Sequence, residues 1–138
     1  MKSVYLLMFC ICAALFQGCG GGQVSVKGTV TFPDGTPVPR GTVQFLTPTF
    51  VADGQIQPDG TYVIGSLKQD DGLPKGSYRV TVSAYEETSY AADMRMDEFV
   101  RPPGSLIDLR YGSPDTSGLT CDVQEATVFN IEVEPFRR

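Results

Sequence analysis

Chemistry in this chain has to come from carboxylates, tyrosines and cysteines. Its 138 residues hold 16 Asp and Glu against 11 Lys and Arg, with no His and no Trp. The missing His removes His acid–base catalysis, Ser-His-Asp triads and His-ligated metals. Asp70 and Asp71 adjoin, and Asp34, Asp53 and Asp59 each precede a Gly. A Ca²⁺ site needs about six to eight oxygens, and no D-x-D-x-D-G spacing is present. Asp before Gly reads as turn chemistry instead. No catalytic residue, metal or cofactor is therefore expected. Asp93, Asp97 and Glu98 lie among Arg95 and Arg101, around Met94, Met96 and Phe99. Two readings stand here. Tyr90, Met94, Arg95, Met96, Phe99 and Arg101 form an adaptable partner-binding loop, or the Met and Phe side chains cap a sheet edge while the charges face water. Tyr85, Tyr90 and Tyr111 could together offer sugar an aromatic surface.

The formal net charge is −5. Without a basic block to release counterions from phosphates, nucleic acid is excluded as a partner. Met1-Lys2-Ser3 is a short positive stretch, and residues 4–16 follow without a charge or a Pro. That run is about 13 residues, short of the ~20 a spanning helix needs and typical of a signal-peptide apolar region. It ends in Leu15-Phe16-Gln17-Gly18-Cys19. A small residue before Cys at that place resembles a bacterial lipobox. The resemblance implies cleavage after residue 18 and acylation of Cys19, and two or three acyl chains suffice to anchor a protein in a membrane. The alternative is a plain secretory signal cut near Gly18, leaving Cys19 as a thiol. Both readings place the mature chain outside the cytoplasm, in the periplasm or at the cell surface. Cys10 and Cys12 leave with the signal, so Cys121 is the one further thiol of the mature chain. It shares parity with Leu119 and Val123 and should point into a core.

The organisation expected is a signal at 1–18, a Gly-rich tether at 19–23 and one domain at 24–138. Period-two alternation runs through that domain. Val24, Val26, Val30 and Phe32 alternate with polar residues, as do Val43 and Phe45, then Tyr78, Val80 and Val82, and finally Phe129, Ile131 and Val133. Pro33-Asp34-Gly35 and Pro58-Asp59-Gly60 are turn tripeptides, the second read as the tip of a β-hairpin. No internal repeat is evident. Seven strands fit: about 23–33, 41–47, 53–57, 61–65, 77–85, 118–124 and 127–134. A further edge strand is expected within residues 105–111. The fold class is all-β, a sandwich or barrel.

The order of these pieces resembles a known family. Val26-Lys27-Gly28-Thr29-Val30, Asp34-Gly35-Thr36-Pro37-Val38, Gly41-Thr42-Val43-Gln44-Phe45, Asp59-Gly60-Thr61-Tyr62 and Leu73-Pro74-Lys75-Gly76-Ser77-Tyr78 are similar to the opening and middle of carboxypeptidase regulatory-like domains. Arg110-Tyr111-Gly112-Ser113-Pro114-Asp115-Thr116-Ser117-Gly118-Leu119-Thr120 resembles a stretch found in a bacterial group of small lipoproteins with that fold. The resemblance spans nearly the whole mature chain. It implies a transthyretin-like, seven-stranded Greek-key β-sandwich and carries no shared catalytic residue. Two enzymatic relatives of the fold, the ureide hydrolases and the intradiol dioxygenases, both need His and are excluded on that ground. The expected protein is a non-enzymatic, lipid-anchored envelope module of structural or adhesion type. It would be held in the membrane through Cys19 and would meet a protein or envelope-polysaccharide partner. The competing reading is a carbohydrate-binding module at the cell surface. Gly28, in mid-strand, marks a close approach of backbones. Tyr62 and Tyr78 are expected to fill the sandwich with their rings while their hydroxyls reach backbone.

Overall fold

The structure, a computed structural model, describes residues 22–65, 71–87 and 104–137. Residues 1–18, Cys19, Asp70 and Tyr90, Met94, Arg95, Met96, Phe99 and Arg101 of the expected loop lie outside the described residues.

The described chain is all-β apart from one short 3₁₀ turn. Its strands are β1 (Val26–Thr31), β2 (Gly41–Thr47), β3 (Phe50–Ile56), β4 (Thr61–Val63), β5 (Gly76–Ser83), β6 (Leu119–Val123), β7 (Thr127–Val128) and β8 (Ile131–Glu132). One sheet has β1 at its centre, antiparallel to β4 and parallel to β7 and β8. The other is antiparallel in the order β3-β2-β5-β6. The alternation places Val26, Val30, Val43, Phe45, Val80, Val82, Val123 and Ile131 between the sheets, all buried. Each such side chain stabilises the fold by roughly 1.5–3 kcal/mol. The Phe45 ring meets Tyr78 at 6.0 Å and Phe129 edge-on at 6.1 Å, joining the two sheets through aromatic contacts. Cys121 is buried on the same parity as Val123, as expected.

Several expectations need correction. The third strand begins at Phe50 rather than residue 53, because Thr47 pairs with Phe50 across Pro48-Thr49. The hairpin at 58–60 is closed by Gly60 N–H donating to Gln57 O and Gln57 N–H to Thr61 O, both at 2.8 Å. Its arms then separate: β3 pairs with β2 and β4 pairs with β1, so the turn is a corner between sheets. A bridge between Asp53 and Gly65 ties the two strands together again. Lastly, residues 105–107 are not an edge strand. Ser105 bridges Tyr85, beyond β5, and Ile107 bridges Pro135, beyond β8, which stitches one sheet to the other. The chain then turns through the 3₁₀ segment Leu109–Gly112, capped by Asp108 Oδ1 accepting from Arg110 N–H.

The expected last strand is interrupted between β7 and β8. Val26 and Lys27 face Thr127 and Val128, and Val30 and Thr31 face Ile131 and Glu132, so register is kept across the gap. At the gap, a Cβ on Gly28 would lie 1.9 Å from Phe129 O. Only Gly permits that approach.

These pairings define two ends. Val24 bridges Leu73 where the chain enters β1, beside the β6–β7 connection. The opposite end carries the 33–37 turn, the 57–60 turn and the ion pair Arg40–Glu87 at 3.0 Å. Glu86 N–H donates to Gly104 O there, holding together the two points between which residues 88–103 run.

Candidate functional site

The antiparallel sheet has an outer face as well as a core face. Leu46, Ser77, Arg79, Thr120 and Asp122 have the opposite parity to buried Phe45, Tyr78, Val80 and Cys121, so they point away from the core. Register puts Leu46 beside Arg79, Arg79 beside Thr120, and Ser77 beside Asp122. Thr47-Pro48 rises on one side and Pro114 on the other, enclosing an open groove of about 670 Å³. That volume is in the range of small-ligand sites.

The wall at Pro114 is held from behind. Ser117 is buried and its hydroxyl donates to Val80 O at 2.7 Å, while its backbone N–H donates to Ser113 O. Thr116 Oγ1 donates to Arg110 O at 2.7 Å. Arg79 Nη1 then reaches Asp115 Oδ1 at 2.8 Å, linking floor to wall. Both partners are well exposed, so the pair adds little stability; it fixes a guanidinium and a carboxylate at the rim. On the floor Asp122 Oδ1 accepts from Ser77 Oγ at 3.3 Å and Gln124 Nε2 at 2.8 Å. The groove thus offers the Arg79 guanidinium, the Asp122 carboxylate and the hydroxyls of Ser77 and Thr120, with Leu46, Pro48 and Pro114 as apolar contacts and Asp115 paired to Arg79 beside it. Such a set can hydrogen-bond a polar ligand and pack against its carbon skeleton.

The residues singled out from sequence fare differently. Tyr85 is 47% exposed but Tyr111 is buried. The Tyr111 hydroxyl accepts from Arg110 Nη2 at 2.7 Å and from Glu134 N–H at 3.3 Å. Tyr85 and Tyr111 therefore form no shared flat surface, and Tyr90 lies outside the described residues. Asp34 and Asp59 serve their own turns: Asp34 Oδ1 accepts Thr36 N–H at 2.9 Å, and Asp59 Oδ1 accepts Thr61 N–H at 3.0 Å. These bonds hold both carboxyls below the ordinary carboxylate range, Asp34 chiefly through the Thr36 amide and Asp59 chiefly through the Thr61 hydroxyl. Tyr62 and Tyr78 do reach backbone, at Phe129 O and Pro74 O. Burial pushes the Cys121 thiol up, with the Asp122 charge adding to it, so it is poorly set up as a nucleophile.

Strand parity alone could have flagged Leu46, Arg79, Thr120 and Asp122 as outward-facing. The wall at Pro114 had no such signal, since it depends on Ser117 docking onto β5. Comparison with protein-family models, with curated proteins and with solved structures gives no match to this chain.

Proposed function

We propose that this chain is a non-enzymatic binding module of the cell envelope, anchored through an acylated Cys19 and built on a transthyretin-like Greek-key sandwich of the carboxypeptidase regulatory-like type. The observation that carries the reading is the opposition of the two ends. The chain enters at Val24, beside Leu73, while Glu86 and Gly104 sit at the other end. A tether of a few residues, 19–23, would leave the far end turned from the membrane, free to meet a protein or an envelope polymer through the loop that carries Tyr90, Met94, Arg95, Met96, Phe99 and Arg101. The groove over β2, β5 and β6 supplies a second surface for recognition. That groove also favours the alternative of carbohydrate binding, since guanidinium, carboxylate and hydroxyls together suit a polyol.

Two measurements test this. Mass spectrometry of the N-terminal peptide should find acylated Cys19, and Cys19→Ser should leave the detergent phase; a Cys19→Ser protein that stays there ends the anchor reading. Pull-down on insoluble polysaccharides separates the two binding classes. Retention lost in Arg79→Ala and Asp122→Ala favours sugar, whereas a defined envelope protein retained only by chains with Met94, Met96 and Phe99 intact favours the module.

A further inference from the structure

The tetrapeptide Pro-Asp-Gly-Thr occurs twice, at residues 33–36 and 58–61. Both copies close the same turn. Gly35 N–H donates to Phe32 O at 2.9 Å and Phe32 N–H to Thr36 O at 2.8 Å, matched by Gly60 to Gln57 O and Gln57 to Thr61 O. Gly35 and Gly60 have φ of 87° and 83°, the left-handed region glycine favours. Two chemically identical Asp-Gly peptides therefore sit in one fold with different surroundings.

Among peptides that begin with Asp, Asp-Gly is the one most open to spontaneous rearrangement, since the Gly side offers no steric resistance. The Gly amide nitrogen loses its proton and bonds to the Asp Cγ, and one carboxyl oxygen leaves as water. The resulting cyclic imide then takes up water across either of its two C–N bonds. One cut restores Asp; the other leaves the main chain running through the side-chain carbon, as isoaspartate. The water released is returned, and nothing is oxidised or reduced.

The surroundings bear on each part of that reaction. Asp59 Oδ1 accepts the Thr61 hydroxyl at 2.6 Å besides the Thr61 amide, so its carboxyl is held in place. Gly60 is buried; its carbonyl accepts Val30 N–H at 2.8 Å, and a Cβ there would lie 2.8 Å from both Val30 O and Pro37 Cβ. Bringing the Gly60 nitrogen onto Asp59 Cγ must move a buried residue whose carbonyl, in the following peptide, is tied to β1. Around Gly35 nothing lies within 4 Å of the corresponding position. We propose that Asp34 is the member of the pair at which this protein isomerises, and that the Thr61 hydroxyl is a positioning group that spares Asp59. Both carboxyls are held low, and so ionised and poor for attack, by the threonine two residues on, the Thr36 amide coming first at Asp34 and the Thr61 hydroxyl first at Asp59.

The test is ageing of the purified full chain in detergent at neutral pH, with isoaspartate quantified at each site by peptide mapping. Rates are normalised to synthetic peptides spanning each turn. Normalised isomerisation should be about tenfold faster at residue 34 than at 59, the factor one charge-assisted hydrogen bond is worth. Thr61→Val should raise the rate at 59 about tenfold and leave 34 unchanged, while Thr61→Ser keeps 59 slow. Equal normalised rates in the parent chain overturn the proposal. So does a Thr61→Val chain in which residue 59 stays slow, or in which both sites accelerate together, which marks general opening instead.

Discussion

The Tyr62 hydroxyl donates to Phe129 O at 2.5 Å, and in doing so replaces a bond of the parallel ladder. A regular parallel neighbour would send Thr29 N–H to that carbonyl. Here Thr29 N–H goes to Asn130 Oδ1 at 3.1 Å, and Phe129 O is left for the phenol. The one ladder bond lost between β7 and β8 is therefore replaced at both its ends, by a tyrosine and an asparagine side chain.

Removing the phenol isolates its effect. Tyr62→Phe leaves Phe129 O without this donor in a water-poor place and should cost about 1–3 kcal/mol, read as a drop in denaturation midpoint. Gly28→Ala should cost more, about 3 kcal/mol or above, because its methyl would sit on Phe129 O.

Alkaline stability follows from the same residue. Burial raises the Tyr62 phenol above its ordinary value of 10.0, and raises Tyr78 in the same direction. In the unfolded chain both ionise near that value while the folded chain keeps its protons. Stability from these groups is thus complete below pH ~10 and falls as pH rises past it. Tyr62→Phe should flatten that fall in urea titrations at stepped pH.

Acid should act on the paired turns. Asp34 and Asp59 titrate below the ordinary aspartate value of 3.8, mainly through Thr36 N–H and Thr61 Oγ1 respectively. Their contribution is present above that value and is lost as pH falls through the lower, folded one. Replacing both with Ala should lessen the dependence of melting temperature on pH in this acid range, with little change of slope at neutral pH.

Cys121 should behave as a folding probe. In a chain begun at residue 20 it is the one thiol left, buried and with its ionisation shifted up. Alkylation at neutral pH should be slow and accelerate with denaturant along the unfolding curve. Rapid labelling of the native chain would mean that β6 opens locally.

Groove variants should separate binding from stability. Arg79 pairs with Asp115 in the open, so Arg79→Ala should shift stability by no more than about 0.5 kcal/mol. Any ligand retained by the groove should be lost by the same change, as measured by retention of the purified chain.

Strand parity was readable because Val26, Val30, Val43, Phe45, Val80 and Cys121 each needed only a one-sided core. Close approach at Gly28 was readable from a Gly in mid-strand. The start of β3 was not, since Pro48-Thr49 lacks the Gly or Asn that marks a two-residue hairpin. Nor was the parting of β3 from β4: Gln57 and Thr61 dictate the turn, but partners far along the chain decide which sheet each arm joins. The groove depended on Ser117 reaching Val80, 37 residues away in sequence, and local pattern carries no record of such a contact. The expected loop at Tyr90, Met94, Arg95, Met96, Phe99 and Arg101 lies outside the described residues.

The parallel pairing of β1 with β7 and β8 has a mechanical side. Val24 and Phe136 lie at opposite ends of that pairing. Tension between the termini would drag β1 and β8 lengthwise past each other, loading their hydrogen bonds together instead of peeling them one by one. A protein tugged from its leading residues while gripped at its tail should yield late and abruptly, as a rivet does under shear.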